Sequence, residues 1–208
     1  MSAILSSEYS WKQARVGQVT ASRIADLTAR TKTGYSASRS AYLAQLVSER
    51  LTGVPYESFT STAMQWGLDT EAEGIAAYSF TRDVDVIPGE FVKHATIERT
   101  GATPDGLVGT DGLVEIKCPN TSTHIETVLC GTIPSKYQQQ MLWQMACSDR
   151  AWCDFVSYDP RMPEPLRLFV ERVQRDEKQI AELEREVREF LFELDRVIHR
   201  LTSLGATA

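Results

Sequence analysis

Glycine and proline punctuation between residues 84 and 117 constrains the fold of this chain more than any other feature. Pro88-Gly89, Gly101, Gly106 and Gly112 cut the segment into pieces too short for helices, so several short strands are expected from Val84 to Lys117. Alternation in the last piece sets Leu113, Glu115 and Lys117 on one face and Val114 and Ile116 on the other. Helical patterns surround this stretch. Ser10 to Ala29 reads as helical, with Thr20 or Ser22 capping a helix over 23–29. Further helices are expected over 40–51, 63–80 and 135–147. Arg30 to Ser38 is polar and basic and reads as a mobile loop. Trp152–Tyr158 and Leu166–Val173 read as strands around the turn Asp159-Pro160-Arg161, and a long helix over 175–201 carries the stripe Ile180, Leu183, Val187, Phe190, Leu194 and Ile198. That order predicts an α/β fold, a central mixed β-sheet flanked by α-helices, as a single domain over 1–208.

Composition excludes several classes. With 42% hydrophobic and 24% charged residues the chain has an ordinary globular make-up. It holds no apolar run long enough to cross a bilayer, so no membrane partner is expected. Cys118, Cys130, Cys147 and Cys153 form no C-x-x-C pair, which argues against a zinc ribbon and for free thiols in a reducing cytoplasm. His94, His124 and His199 are scattered, which disfavours a zinc hydrolase, and neither a G-x-S-x-G elbow nor a P-loop is present. The net charge is −6, yet residues 1–53 hold seven basic and three acidic residues, leaving −10 for the remainder. Such a basic N-terminal part can track phosphates while an acidic remainder holds metal.

The chemistry-bearing residues lie inside the strand-rich segment. Pro104-Asp105 is followed ten residues later by Glu115-Ile116-Lys117. Two hard oxygen ligands close together suit Mg2+ or Mn2+, and a nearby ammonium can orient a water or steady charge building on a phosphate. Taken singly, each half is ordinary turn or surface-pair chemistry. Their combination on adjoining strands, with the further matches below, favours a phosphodiester-cleaving site.

Six segments, in order, carry a resemblance. They are Trp11 with Arg15-Val16-Gly17 and Thr20-Ala21-Ser22; Gln65-Trp66-Gly67 through Glu71; Thr103-Pro104-Asp105-Gly106-Leu107; Glu115-Ile116-Lys117-Cys118-Pro119; Tyr137 through Gln140; and Tyr158-Asp159-Pro160-Arg161-Met162. The chain resembles the lambda exonuclease-like, YqaJ-type alkaline exonucleases of the PD-(D/E)XK nuclease superfamily. The resemblance implies a restriction-endonuclease-like core with a helical, DNA-contacting N-terminal part (about 1–80), a catalytic sheet (about 84–173) and a C-terminal packing helix (about 175–202).

By the same resemblance Asp105 and Glu115 bind metal with the Ile116 carbonyl, and Lys117 is the catalytic lysine. Glu71 completes a site for two Mg2+ ions, with Glu73 as its competitor. Gln140 positions water or phosphate, with Gln138, Gln139 and Gln144 as rivals. Arg15, Ser22 and Thr103 match the residues that hold a 5′-phosphate, and Met64 takes the place of an apolar wedge at the end of the duplex, with a core methionine as the other reading. Where relatives carry another basic residue, this chain has Thr123, which weakens 5′-phosphate recognition or passes that job to His124. The implied activity is Mg2+-dependent, processive 5′-to-3′ degradation of linear double-stranded DNA to mononucleotides, leaving 3′ strands for annealing recombination. Its expected setting is a homotrimeric ring on DNA ends, with a single-strand annealing protein, in a bacterial host cytoplasm as a phage or prophage product. An endonuclease of the same superfamily, or a catalytically silent end-binding module, stands as the alternative.

Overall fold

The computed structural model describes residues 13–56 and 61–205; Ser10, Trp11 and Lys12 lie outside them. Among the described residues ten strands form three sheets, with helices on both faces of the largest. The strands are β1 (Val19–Thr20), β2 (Arg30–Thr31), β3 (Gly34–Tyr35), β4 (Val86–Pro88), β5 (Val92–Lys93), β6 (Thr100–Ala102), β7 (Gly106–Val108), β8 (Gly112–Lys117), β9 (Trp152–Tyr158) and β10 (Leu168–Gln174). The helices are α1 (Ile24–Thr28), α2 (Ala37–Thr52), α3 (Thr62–Arg82), α4 (Thr121–Cys130), α5 (Ser135–Ser148) and α6 (Glu177–Gly205).

The main sheet runs β10-β9-β8-β7-β4 and is mixed, since β8 pairs parallel with β9 while its other neighbours are antiparallel. The alternation expected along β8 holds. Val114 and Ile116 bury with Tyr78 of α3 and with Val156 and Tyr158, whereas Leu113 joins the larger core with Trp143, Phe155, Val187 and Phe190. Helix α3 therefore covers one face and α5 with α6 the other. The approach of α3 is close: a Cβ on Gly74 would stand 3.0 Å from the Ile116 Cγ2 and 3.4 Å from the Tyr158 side chain.

Three expectations need correction. Of the stretch Ser10–Ala29, the described residues 13–29 are not one helix: the chain turns at Gly17 (φ +66°), forms β1, passes through a short 3-10 turn and only then enters α1. Pairing of β1 with β6 across some eighty residues overrides local helix propensity, and no side-chain cap is made by Thr20 or at the start of α1. Arg30–Ser38 holds the β2–β3 hairpin, and Ser36 caps α2 by accepting from the Arg39 N–H. Helix α4 is absent from the sequence reading, although Asn120, accepting from the Thr123 N–H, and Gly131 at φ +58° bracket it.

Candidate active site

The strand β7 ends its pairing at Gly106↔Val114, so Ile116, two residues further along β8, has no β7 backbone partner in the paired register. The Asp105 carboxylate supplies one, its Oδ2 accepting from the Ile116 N–H at 2.7 Å. Sheet geometry thus fixes the first acid against the strand that carries the second. Glu115 is fully buried. Its Oε1 accepts from Lys117 Nζ and from Gln140 Nε2 (2.5 Å), and its Oε2 accepts from Gln144 Nε2 (2.6 Å). Gln140 and Gln144 lie one turn apart on α5 and so share a face. The other rivals are occupied elsewhere, Gln138 donating to the Ile133 carbonyl and Gln139 accepting from the Thr28 hydroxyl.

Electrostatics ties a third acid to this cluster. Burial raises the Glu71 carboxyl above its ordinary value; Lys117 pulls it back and Glu115 pushes it up. Glu73 serves another purpose, accepting from the Tyr158 hydroxyl at 2.7 Å, and burial with that bond pushes Tyr158 up to about 12. Burial and then the Glu115 charge hold Asp105 well above the usual carboxylate range. For Lys117, burial alone would lower the ammonium, but Glu115 and Asp105 outweigh it and the net shift is upward. The lysine stays a cation, with its Nζ also 5.3 Å from the Tyr137 ring centroid.

A divalent cation fits this donor set. Three carboxylates converge on one lysine, an excess of negative charge that burial makes costly. Asp105 has its Oδ1 to offer, since Oδ2 holds Ile116; Glu115, Glu71 and the Ile116 carbonyl are the remaining candidates. Among the described residues no three His, Cys, Asp or Glu side chains form a ready-made metal cage. Mg2+ is commonly held by one or two carboxylates plus water and phosphate oxygens. Thr103 Oγ1, two residues before Asp105, is buried without a hydrogen-bond partner, leaving it open to a ligand.

The residues read as phosphate contacts lie on connected backbone. Arg15 and Ser22 flank β1, which pairs with β6, and β6 runs on to Thr103. Burial lowers the half-buried Arg15 guanidinium, and Tyr42 and Glu49 oppose that shift. Ser22 is exposed. Met64 is exposed on the first turn of α3, so the core-methionine reading is set aside.

Two functional readings are corrected here. His124 is buried with both ring nitrogens engaged: Nε2 lies 2.8 Å from the Leu166 carbonyl, which fixes the proton there, and Nδ1 lies 2.8 Å from the Ser157 hydroxyl. It has no face to give a phosphate. Nor are most of the arginines among the described residues 13–53 left open as a basic surface. Arg30, Arg39 and Arg50 pair with Glu186, Glu193 and Asp195 of α6, and Arg23 with Asp26.

A bracket beside the site draws together segments that looked separate in sequence. The buried Asp159 accepts from Thr121 Oγ1 (2.7 Å) and from the Arg161 backbone and guanidinium. Arg161 also donates to the Pro119 carbonyl and lies over the Trp66 ring at 4.4 Å. Burial alone would raise the Asp159 carboxyl, but the bonds from Arg161 and Thr121 outweigh it and bring it down to about 2. A carboxyl depressed on folding stabilises above its unfolded value, near 3.8, and loses that contribution as pH falls through about 2. Urea midpoints of Asp159→Asn should therefore lie below the parent's at neutral pH and converge with them between pH 4 and 2. A gap that stayed constant across that range would contradict the assignment.

Backbone packing also controls Asp105. A Cβ on Gly89 would stand 2.1 Å from the Pro104 carbonyl oxygen, so a side chain there must displace the Pro104-Asp105 turn. Gly89→Ala is expected to cost about 1–3 kcal/mol through overpacking. It should also speed hydrogen exchange of the Ile116 amide; an unchanged exchange rate would show that the turn does not move.

Comparison with known proteins follows from this geometry. The profile of the YqaJ-like viral recombinase domain matches residues 10–151. A search of curated protein sequences finds no match. An alkaline exonuclease from Laribacter hongkongensis (LHK-Exo) is 46% identical, with TM-score 0.90 over 96% of this chain and 98% of that chain. Its structure in complex with dAMP gives 47% identity with the same score and coverage. A phage related exonuclease from Haemophilus somnus 129PT, 17% identical with TM-score 0.70 over 88% and 96%, shares the fold.

Mixed sheet, flanking helices and these likenesses define a nuclease of the alkaline exonuclease type. Within that class, the chain belongs to the YqaJ-like viral recombinase domain family.

Proposed function

We propose that the chain is a Mg2+-dependent exonuclease that degrades the 5′-ended strand of linear double-stranded DNA to mononucleotides. The observation that carries this reading is the convergence of Asp105, Glu71 and Lys117 on the buried Glu115. The LHK-Exo complex with dAMP, a mononucleotide, supports a site that accommodates a single released nucleotide.

Asp105, Glu115 and Glu71 with the Ile116 carbonyl would hold one or two divalent ions, Mg2+ or in its place Mn2+. When bound, the ion supplies Lewis acidity at the scissile phosphate and a more acidic water. Lys117, kept protonated by its acidic neighbours, offers an N–H to the phosphate oxygen or to the attacking water as negative charge builds. Gln140, nearly buried and donating to Glu115, holds that carboxylate in place and stands ready to orient the water. Thr103, with its unpartnered hydroxyl, and Arg15 and Ser22 along β1 form the terminal 5′-phosphate grip. Met64, exposed at the start of α3, is the wedge against the terminal base pair.

The proposal extends to a homotrimeric ring enclosing the DNA. Topological enclosure would give processivity without an open basic face, and most N-terminal arginines are already paired within the chain. The 3′ strand left behind would pass to a single-strand annealing protein in the cytoplasm of a bacterial host. Digestion of a 5′-phosphorylated linear duplex beside a closed circle tests the reading, with Mg2+ and then with chelator. Mg2+-dependent mononucleotide release from the linear duplex alone, with the 3′-ended strand surviving, is the expected result. Cutting of the circle would favour an endonuclease, and no cutting of either would leave an end-binding module.

A further inference from the structure

We infer that Gln144 is a positioning residue that aims the Glu115 carboxylate at a divalent cation, and that the Cys153 thiol backs the far side of the Gln144 amide. This rests on the metal site proposed above. The two oxygens of Glu115 have different surroundings. Oε1 meets Lys117, whose side chain is 26% exposed, and Gln140, while Oε2, among the described residues, meets only Gln144, which is fully buried. Oε1 therefore faces the cleft and Oε2 the interior. The last torsion of a glutamate is broad, so the carboxylate plane is set by what its oxygens touch. Lys117 and Gln140 stand where substrate and water must arrive and are free to change partners there. Gln144 has no such freedom, and its bond at 2.6 Å holds the interior oxygen fixed while the outer one turns to an ion.

A glutamine amide can present either its nitrogen or its oxygen, and two acceptors facing each other would repel. Behind Gln144 lies Cys153 of β9, paired in register with Leu113 of β8. Its Sγ stands 4.0 Å from Gln144 Oε1, a weak contact shared with the Asp154 carbonyl. The Glu115 oxygen can only accept, which turns the Gln144 nitrogen toward it, and the thiol, able to donate, supports the amide oxygen that then faces Cys153. Complete burial pushes this thiol far up, so it remains S–H. The chain of contacts runs Cys153 to Gln144 to Glu115, and only the last member reaches the site.

Calorimetric titration of Mn2+ into the full chain without DNA tests this, alongside thermal melts. Gln144→Leu keeps the volume but withdraws the donor, and should weaken Mn2+ binding roughly 10–100-fold. Cys153→Ala should fall between that variant and the parent, and Cys153→Ser, which keeps a hydroxyl donor, should bind like the parent. The Mn2+ concentration giving half-maximal mononucleotide release should rise in Gln144→Leu, with the rate at saturating Mn2+ largely recovered. A folded Gln144→Leu that binds Mn2+ as tightly as the parent overturns the inference; should it not fold, Gln144→Asn, one methylene shorter, takes the same test with the same criterion. Absence of Mn2+ binding to the parent, or binding unchanged by Asp105→Asn, overturns the metal site itself and the inference with it.

Discussion

Replacing Lys117 with alanine should lower mononucleotide release about 10³-fold, the range seen when one preorganised donor to developing charge is lost. The lysine is the only cation bonded to Glu115 among the described residues; the remaining donors, Gln140 and Gln144, are neutral amides. DNA-end binding should change little, because Arg15, Ser22 and Thr103 reach their place through β1 and β6 rather than through this cluster. Lys117→Arg keeps a charge but is expected to recover little, since a planar, longer guanidinium cannot occupy the same point between Glu115 and the Tyr137 ring. Single-turnover assays on linear duplex, paired with a binding measurement in chelator, separate the two effects. Cleavage by Lys117→Ala at the parent's rate would remove the lysine from the mechanism.

Trp143→Ala carries the largest expected cost to stability. Trp143 is completely buried, its Nε1 donates to Thr100 Oγ1 at 3.2 Å, and its ring stacks on His94 at 5.1 Å between centroids. Truncation leaves a cavity between α5 and β6 and removes the donor to the Thr100 hydroxyl, which keeps its own bond to the Val19 carbonyl, a loss of about 3–5 kcal/mol. For a domain of this size that corresponds to a fall in Tm of roughly 10 °C. Because Gln140 and Gln144 sit on the same helix, activity well below the melting range should also decline. A melting shift of under about 3 °C would mean that the core closes over the gap far better than large-to-small substitutions normally allow.

The parts of the fold legible in sequence were those whose pattern has a single local cause. β8 alternates because its two faces meet two different cores, and α6 shows an apolar stripe because one face packs and the other is wet. β1 left no such mark. It is two residues long and exists because Thr100 and Gly101 lie alongside, a cause some eighty residues away. Helix α4 went unread because its interior, with His124 and Thr127 turned inward, has no apolar stripe to announce it.

In the site, motif spacing placed Asp105, Glu115 and Lys117 together, and the structure brings them into one cluster. The resemblance favours Glu71 over Glu73 and Gln140 over its neighbours, and what each rival touches could not be read from spacing. Glu73 is held by Tyr158, Gln138 and Gln139 by groups outside the cluster, and Gln144 turns out to share Glu115 with Gln140. The charge count misled most. Seven cations near one end of a sequence suggest a binding face, but charge counts do not record which acids the fold brings beside them.

Those pairings also bear on how the chain is made. Arg30, Arg39 and Arg50 meet their acids 156, 154 and 145 residues later, and Tyr42 stacks on Phe190 at 5.6 Å. One whole side of the cover over the described residues 13–52, the α6 face, is therefore translated last, after β6 and α5. On a ribosome the early helices must wait, with Leu27 and Leu46 lacking their cover, until α6 emerges. Nascent chains stalled before residue 177 should then behave as incompletely closed, chaperone-dependent species, and cutting back α6 past Leu194 and Phe190 should uncover the same core.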